Sequence, residues 1–213
     1  MYIDGVNLPD PSTERELADL LAEADRAHLG VTPKGAATKQ DWGNPPSRAC
    51  FYLSTAKLNR VLEHAWADMT VTVEAGCTFG VLQATLAEHG QRLTADPLWP
   101  EKATVGGMLA TNDTGALRLM YGGLRDLIIG ITLALPDGTL AKSGGKVVKN
   151  VAGYDLMKLA TGALGTLGVI TQATFRVYPL PRESRSFTAR FSNPAAAGEF
   201  VVRVLAEPLA ITS

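Results

Sequence analysis

The stretch 150–171, NVAGYDLMKLATGALGTLGVIT, constrains the fold of this chain more than any other, because glycine recurs at Gly153, Gly162, Gly165 and Gly168 between apolar residues. Glycine inside a helix or strand costs roughly 0.5–1 kcal/mol relative to alanine, so such a density points to close backbone approach or positive φ. Asp155 is placed to cap a helix over 156–161, with Leu156, Leu159 and Ala160 on one face. From Leu167 the hydrophobic period shortens to two. Val169, Thr171, Ala173, Phe175 and Val177 fall on one side and Ile170, Gln172, Thr174, Arg176 and Tyr178 on the other, which predicts a long strand ending at Pro179. A glycine-paved turn between helix and strand leaves backbone amides facing a large flat or anionic ligand. A tight connection with no ligand satisfies the same residues equally well.

The 213 residues are 46% hydrophobic and 19% charged, enough for one large domain or two small ones. Lys plus Arg number 20 against 21 Asp plus Glu, so there is no basic footprint for nucleic acid or an anionic membrane surface. No apolar run approaches the roughly 20 residues of a membrane span, and MYIDGVNLPD lacks the basic and apolar regions of a signal peptide, so a cytoplasmic location is expected. Cys50 and Cys77 form no CxxC pair and read as buried free thiols. His28, His64 and His89 show no metal-binding spacing, so no metal is expected.

Thr13 and Glu16 form a capping box ahead of Leu17, Leu20, Leu21 and Ala24, predicting a helix as far as His28. A short strand over 29–32 feeds the small-residue loop PKGAATKQDWG, which suits either phosphate binding or a plain surface turn. Strands are expected over 51–53 and 69–74, the latter with Val71 and Val73 opposite Thr70, Thr72 and Glu74. Thr78 caps a helix carrying Phe79, Leu82 and Leu86, closed by His89 and Gly90. After Arg92 and Leu93 comes a long, weakly periodic loop rich in glycine and threonine, of a length that is usually functional. A strand over 126–135 turns at Pro136, Asp137 and Gly138 and returns over 139–142. Beyond the 178–181 break, a strand over 187–191, a helix over 195–206 begun by Asn193 and Pro194, and a strand over 209–212 read as the opening of a second domain.

Three small-residue segments, 33–38, 103–115 and 153–170, lie too far apart to form one local motif. In order, PKGAATK, AGCTFGVLQATLAEHGQRL, ATVGGMLATN, YGGLRDLIIG, PDGTL, KNVAGYDLMKL and GTLGVIT resemble the FAD-binding domain of the vanillyl-alcohol oxidase and p-cresol methylhydroxylase (PCMH) superfamily, and within it the FAD-binding subunits of bacterial glycolate oxidases. The resemblance covers 9–181, and an ordered series of motifs is far more specific than one glycine box. It implies an α+β fold: a two-lobed PCMH-type FAD-binding domain over 1–181, with FAD extended between a small lobe and a larger sheet. The start of a truncated α/β cap domain would follow over 182–213.

The resemblance also implies roles by position. Pro33, Lys34, Gly35, Ala36, Ala37 and Thr38 would form the pyrophosphate loop. Pro97, with Thr104, Val105, Gly106, Gly107, Thr111, Asn112 and Gly115, would line the pyrophosphate, ribityl chain and flavin, and Tyr121 and Gly122 would continue that wall. Gly153, Tyr154 and Asp155 would sit near the flavin ring, and Gly165, Gly168, Val169 and Ile170 near the adenosine half. Ala36 and Ala37 stand where the family commonly has glycine, so a positive φ there costs about 1–2 kcal/mol. The loop lacks the histidine that covalent members often use as a tether, so the FAD is expected to be noncovalent. The implied activity is oxidation of a small-molecule 2-hydroxy acid such as glycolate or D-lactate. The alternative is a non-catalytic FAD-binding or electron-relay subunit of a multi-subunit dehydrogenase, with partner flavoprotein and iron-sulfur subunits that could hold it at the periphery of the inner membrane. No catalytic base is identifiable: Lys149 reads as a solvated lysine and Asp155 as a helix cap.

Overall fold

The computed structural model describes residues 10–45, 50–145, 155–185 and 187–207. Lys149, Gly153, Tyr154 and the strand expected over 209–212 lie outside the described residues.

The Thr13 hydroxyl accepts the Glu16 amide at 3.1 Å, while the Glu16 carboxylate accepts the Ser12 amide at 2.7 Å. The cap of α1 (Glu14–Arg26) is therefore shared by two residues. Leu17, Ala18, Leu21 and Ala24 are buried along one stripe. The helix stops short of His28, which takes φ +54° while the Leu29 amide closes back on the Ala24 carbonyl at 2.9 Å. Strands β1 (Gly30–Lys34) and β2 (Cys50–Ser54) pair in parallel beneath this helix. Leu17, Ala18, Leu21, Leu53 and Leu58 make a small core closed by Ala134 and Val169 from the larger sheet.

That larger sheet is antiparallel. It contains β3 (Val61–Ala65), β4 (Thr70–Glu74), β6 (Ile128–Ala134), β7 (Leu140–Gly144) and β8 (Val169–Arg176) in the order β3-β4-β8-β6-β7. A separate two-stranded ribbon joins β5 (Gln91–Arg92) to β9 (Tyr178–Pro179). Register puts Val71, Phe175 and Ile128 in one cross-strand row and Val73, Ala173 and Ile131 in the next. These rows pack with Phe79, Leu82 and Leu86 of α2 (Phe79–Ala87) and Met108 and Leu109 of α3 (Val105–Thr111) in the main core. The intervening row is polar, with Thr72 and Thr174 sharing a hydroxyl hydrogen bond at 3.0 Å, and, in the row beyond Ala173, Gln172 donates to the Glu14 carboxylate at 2.8 Å. Short helices α4 (Arg118–Tyr121) and α5 (Leu124–Leu127) precede β6, α6 (Leu156–Ala160) precedes β8, and α7 (Pro194–Ala206) lies beyond β9.

Several expectations are corrected. Strand β6 starts at Ile128, because Asp126 belongs to α5, where its carboxylate accepts the Gly123 amide at 2.9 Å. The helix expected to close at His89 ends at Ala87. The long loop after Leu93 holds α3, whose adjacent glycines masked it. A Cβ on Gly106 would stand 2.9 Å from the Ala75 Cβ, so glycine there serves close packing of the helix on the end of β4. Edge strand β3 was not anticipated: a bulge between Val61 and Glu63 and exposed polar residues erase its alternation. Leu159 is 60% exposed, leaving Ala160 as the buried residue of α6. Residues 187–191 form no strand. Their alternation finds no sheet edge among the described residues, and Phe187 is 90% exposed.

Phe175 is fully enclosed at the centre of β8. Phe175→Ala is expected to lower the unfolding free energy by about 3–5 kcal/mol, read as a shift of the urea midpoint at unchanged slope.

Candidate cofactor site

A cavity of about 690 Å³ opens between three chain segments: the loop after β1, the exposed face of α3, and the turn between α6 and β8. A smaller one, about 80 Å³, continues from it past Lys34, Gly106, Gly168, Val169 and Ile170.

Helix α3 sets this geometry. The Thr104 hydroxyl caps it, accepting the Gly107 amide at 3.3 Å. Its first amides are already engaged, Val105 with the Cys77 carbonyl at 2.9 Å and Gly106 with that of Ala75 at 2.7 Å. The N-terminus of α3 is thus a structural anchor, and what it offers the cavity is the flat surface of Gly107, Ala110 and Thr111. At the other end, Asn112 takes φ +53° as the left-handed cap. The Gly162 and Leu164 amides donate to the carbonyls of Leu109 and Ala110, each at 2.8 Å. The glycine-rich turn therefore completes α3 and lines the cavity at once. Leu164 and Gly165 are consecutively left-handed, at φ +53° and +74°, and a Cβ on Gly165 would come within 3.2 Å of the Pro33 ring.

The β1 loop supplies the donors. A Cβ on Gly35 would collide with the Thr104 hydroxyl, so only glycine lets this loop reach α3. Ala37 adopts φ +56°, the strained geometry expected at an alanine standing where glycine is common. The amides of Ala36, Ala37 and Thr38 donate to no group among the described residues. Beyond them, Lys39 is buried with its ammonium 2.9 Å from the Asp113 carboxylate, which also accepts the Leu98 amide at 2.9 Å. Removing one member of such a buried pair typically costs about 3–5 kcal/mol. Trp42 stands half-exposed in the wall near Leu164.

Most of the residues expected from sequence converge here. Pro33, Gly35, Ala36, Ala37, Thr38, Thr104, Gly107, Thr111 and Gly165 line the larger cavity. Others lie apart from it. Val105 is buried core and Pro97 is buried. Gly115, at φ +71°, wraps the chain around Asp96, whose carboxylate accepts the Ala116 and Leu117 amides. Tyr121 accepts a hydrogen bond from Arg92 at 3.0 Å, and Gly122 ends α4. Asp155 caps α6; its hydrogen-bonded contact with Lys158 holds the carboxyl below its usual range, so it stays an ionised cap. Residues 39–45 and Leu164 were missed. The signal available for the first was an indole, Trp42, inside a loop of small residues. Cys77, beneath the α3 anchor, has its thiol pushed up to about 11 by burial and by Glu74, and remains a protonated, inert thiol near neutral pH.

Residues 9–144 match the model of the FAD binding domain family. The chain belongs to that family. Its cofactor is FAD. The glycolate oxidase subunit GlcD of Bacillus subtilis is 31% identical over 205 residues, covering 94% of this chain and 43% of the relative. A D-lactate dehydrogenase of Archaeoglobus fulgidus is 35% identical over 195 residues, covering 91% of this chain and 43% of that one. Among solved structures, alkyldihydroxyacetonephosphate synthase superposes with a TM-score of 0.68 at 26% identity, over 81% of this chain and 31% of that one. The chain thus spans less than half the length of these relatives. Its two cores, with a parallel strand pair in one lobe and an antiparallel sheet in the other, are the two-lobed α+β architecture of PCMH-type FAD-binding domains. The donor set suits FAD as well: unengaged amides with a lysine beyond them fit a diphosphate, and the glycine surface of α3 leaves room for an extended ligand.

Ala37→Gly is expected to raise the unfolding free energy by about 0.5–1 kcal/mol, the relief of a left-handed alanine less the added freedom of the unfolded chain. Chemical denaturation of the two proteins measures it, and a loss of stability would show that φ at this position is not strained.

Proposed function

We propose that this chain is the noncovalent FAD-binding part of a flavin-dependent oxidoreductase acting on a small 2-hydroxy acid such as glycolate or D-lactate. The observation that carries the reading is the convergence of the β1 loop, α3 and the α6–β8 turn on one cavity with free amides. The names of the glycolate oxidase subunit and the D-lactate dehydrogenase supply the substrate class. Bound FAD contributes two-electron redox chemistry through its ring system. The chain's own part is binding and orientation: Ala36–Thr38 amides toward the diphosphate, Gly35, Gly107 and Gly165 keeping the cleft open, and Trp42 and Leu164 excluding water at its mouth.

The domain division follows from the same reading, with 1–181 holding FAD and 182–213 beginning a cap domain. It is supported by α7, which buries none of its residues and exposes Phe200, Val201, Val202 and Leu205. A second reading, a non-catalytic FAD-binding or electron-relay subunit with flavoprotein and iron-sulfur partners, is favoured by the relative whose name marks it as a subunit. Among the described residues, no helix is long and apolar enough to cross a membrane.

Purified chain incubated with FAD and desalted is expected to keep a flavin absorption band that denaturation releases into solution, as befits a noncovalent cofactor. Gly35→Val, which forces the β1 loop off Thr104, is expected to weaken FAD binding by about a hundredfold or more in calorimetry. A wild-type chain that takes up no FAD would remove the reading. Bleaching of that band by glycolate or D-lactate separates the oxidoreductase from the relay.

A further inference from the structure

Lys39 is unusual among the charged groups of this protein. Its side chain is only 4% exposed and faces Asp113, itself 8% exposed, at 2.9 Å. Yet the approach is off the hydrogen-bonding direction, and the ammonium donates to no partner among the described residues. An ammonium carries three donors and no acceptor, and burying it with those donors idle is costly unless something else completes them. Asp113 is better satisfied, because the same oxygen also accepts the Leu98 amide. Lys39 belongs to the lining of the larger cavity, with its ammonium tucked below the surface against Asp113, and it follows directly on the Ala36, Ala37 and Thr38 amides, which donate to no group among the described residues. Donors left unfilled on consecutive residues around one cavity share an obvious acceptor, the oxygens of a diphosphate.

We propose that Lys39 is the cation of diphosphate recognition in this cavity, held in place by Asp113 until phosphate oxygens complete its hydrogen bonds. This rests on the FAD reading of the cavity and adds to it a ground for selectivity. Ligands joined through a diphosphate gain from Lys39, and ligands without phosphate do not. Asp113 keeps the charge balanced while the cavity holds no ligand, and it ties the loop to the far end of α3. Lysine serves better than arginine here, because a point charge on a flexible stem can turn from one acceptor to another.

The test compares ADP with adenosine, and FAD with riboflavin, by calorimetry on the wild-type chain, Lys39→Met, Lys39→Gln and Lys39→Arg, each first shown to be folded by a thermal melt. Loss of a charge-assisted hydrogen bond predicts ADP and FAD affinities falling by about tenfold or more in Lys39→Met, with adenosine and riboflavin changed less than about twofold and Lys39→Arg retaining most of the ADP affinity. Where Lys39→Met does not fold, Lys39→Gln is read the same way. Equal losses for ADP and adenosine would make Lys39 a strap of the loop and overturn the proposal. Unchanged ADP and FAD affinity would overturn it alone, with the FAD reading intact. A wild-type chain that binds neither ADP nor FAD would overturn both. If Lys39→Met and Lys39→Gln are both unfolded, the pair serves folding alone and the proposal fails.

Discussion

Backbone hydrogen bonds at both ends of helix α3 fix it against the larger sheet. At the N-terminus, amides that would otherwise be free go to Ala75 and Cys77, tying the helix to the end of β4. At the C-terminus, carbonyls that would otherwise be orphaned accept Gly162 and Leu164, tying it to the turn that opens β8. A seven-residue helix has little intrinsic stability, and glycine at two of its positions lowers that further. The sheet keeps it folded. The same bonds fix where Gly107, Ala110 and Thr111 face, and the β1 loop can meet them only because Gly35 has no Cβ to strike Thr104.

Strong periodicity made the framework readable. The alternation of β8 and β4, the stripe of α1 and the Asp137–Gly138 hairpin all correspond to observed elements, because each buries a regular apolar face and the burial writes the pattern. The failures share a cause. Strand β3 is held by backbone pairing at an exposed edge, and α3 shows only one short i, i+3, i+4 stripe, Val105, Met108 and Leu109, interrupted by two glycines, so neither leaves a long side-chain period to read. The converse error occurred at 187–191, where aromatic alternation exists without a sheet to pair with. In the cavity, small-residue segments were legible as close approaches, whereas Lys39, at the end of PKGAATK, and Asp113 are far apart in sequence and nothing local pairs them. Only the fold brings that ion pair together.

Strain and unfilled donors occur at several places in the molecule, and one group of them borders the cavity. Ala37 and Leu164 occupy left-handed backbone without being glycine, the amides of 36–38 donate to no group among the described residues, and the Lys39 ammonium has the Asp113 ion pair but no well-directed hydrogen bond there. A structure built for stability alone would place glycine at 37. Local rules are broken most often where a ligand completes what the chain leaves unfinished, and here the violations surround a cavity whose family holds FAD. The same contrast explains why Asp155 and Gly162 say more about architecture than about chemistry: both are engaged at helix ends.

Amide hydrogen exchange with and without FAD addresses the central claim most directly, since idle amides become donors only if the cofactor seats where they point. The account predicts slowed exchange at Ala36, Ala37 and Thr38 on addition of FAD, and little change at Val105 and Gly106, whose amides are already bonded within the protein. FAD that binds while 36–38 exchange as fast as before, with protection arising elsewhere, would contradict it.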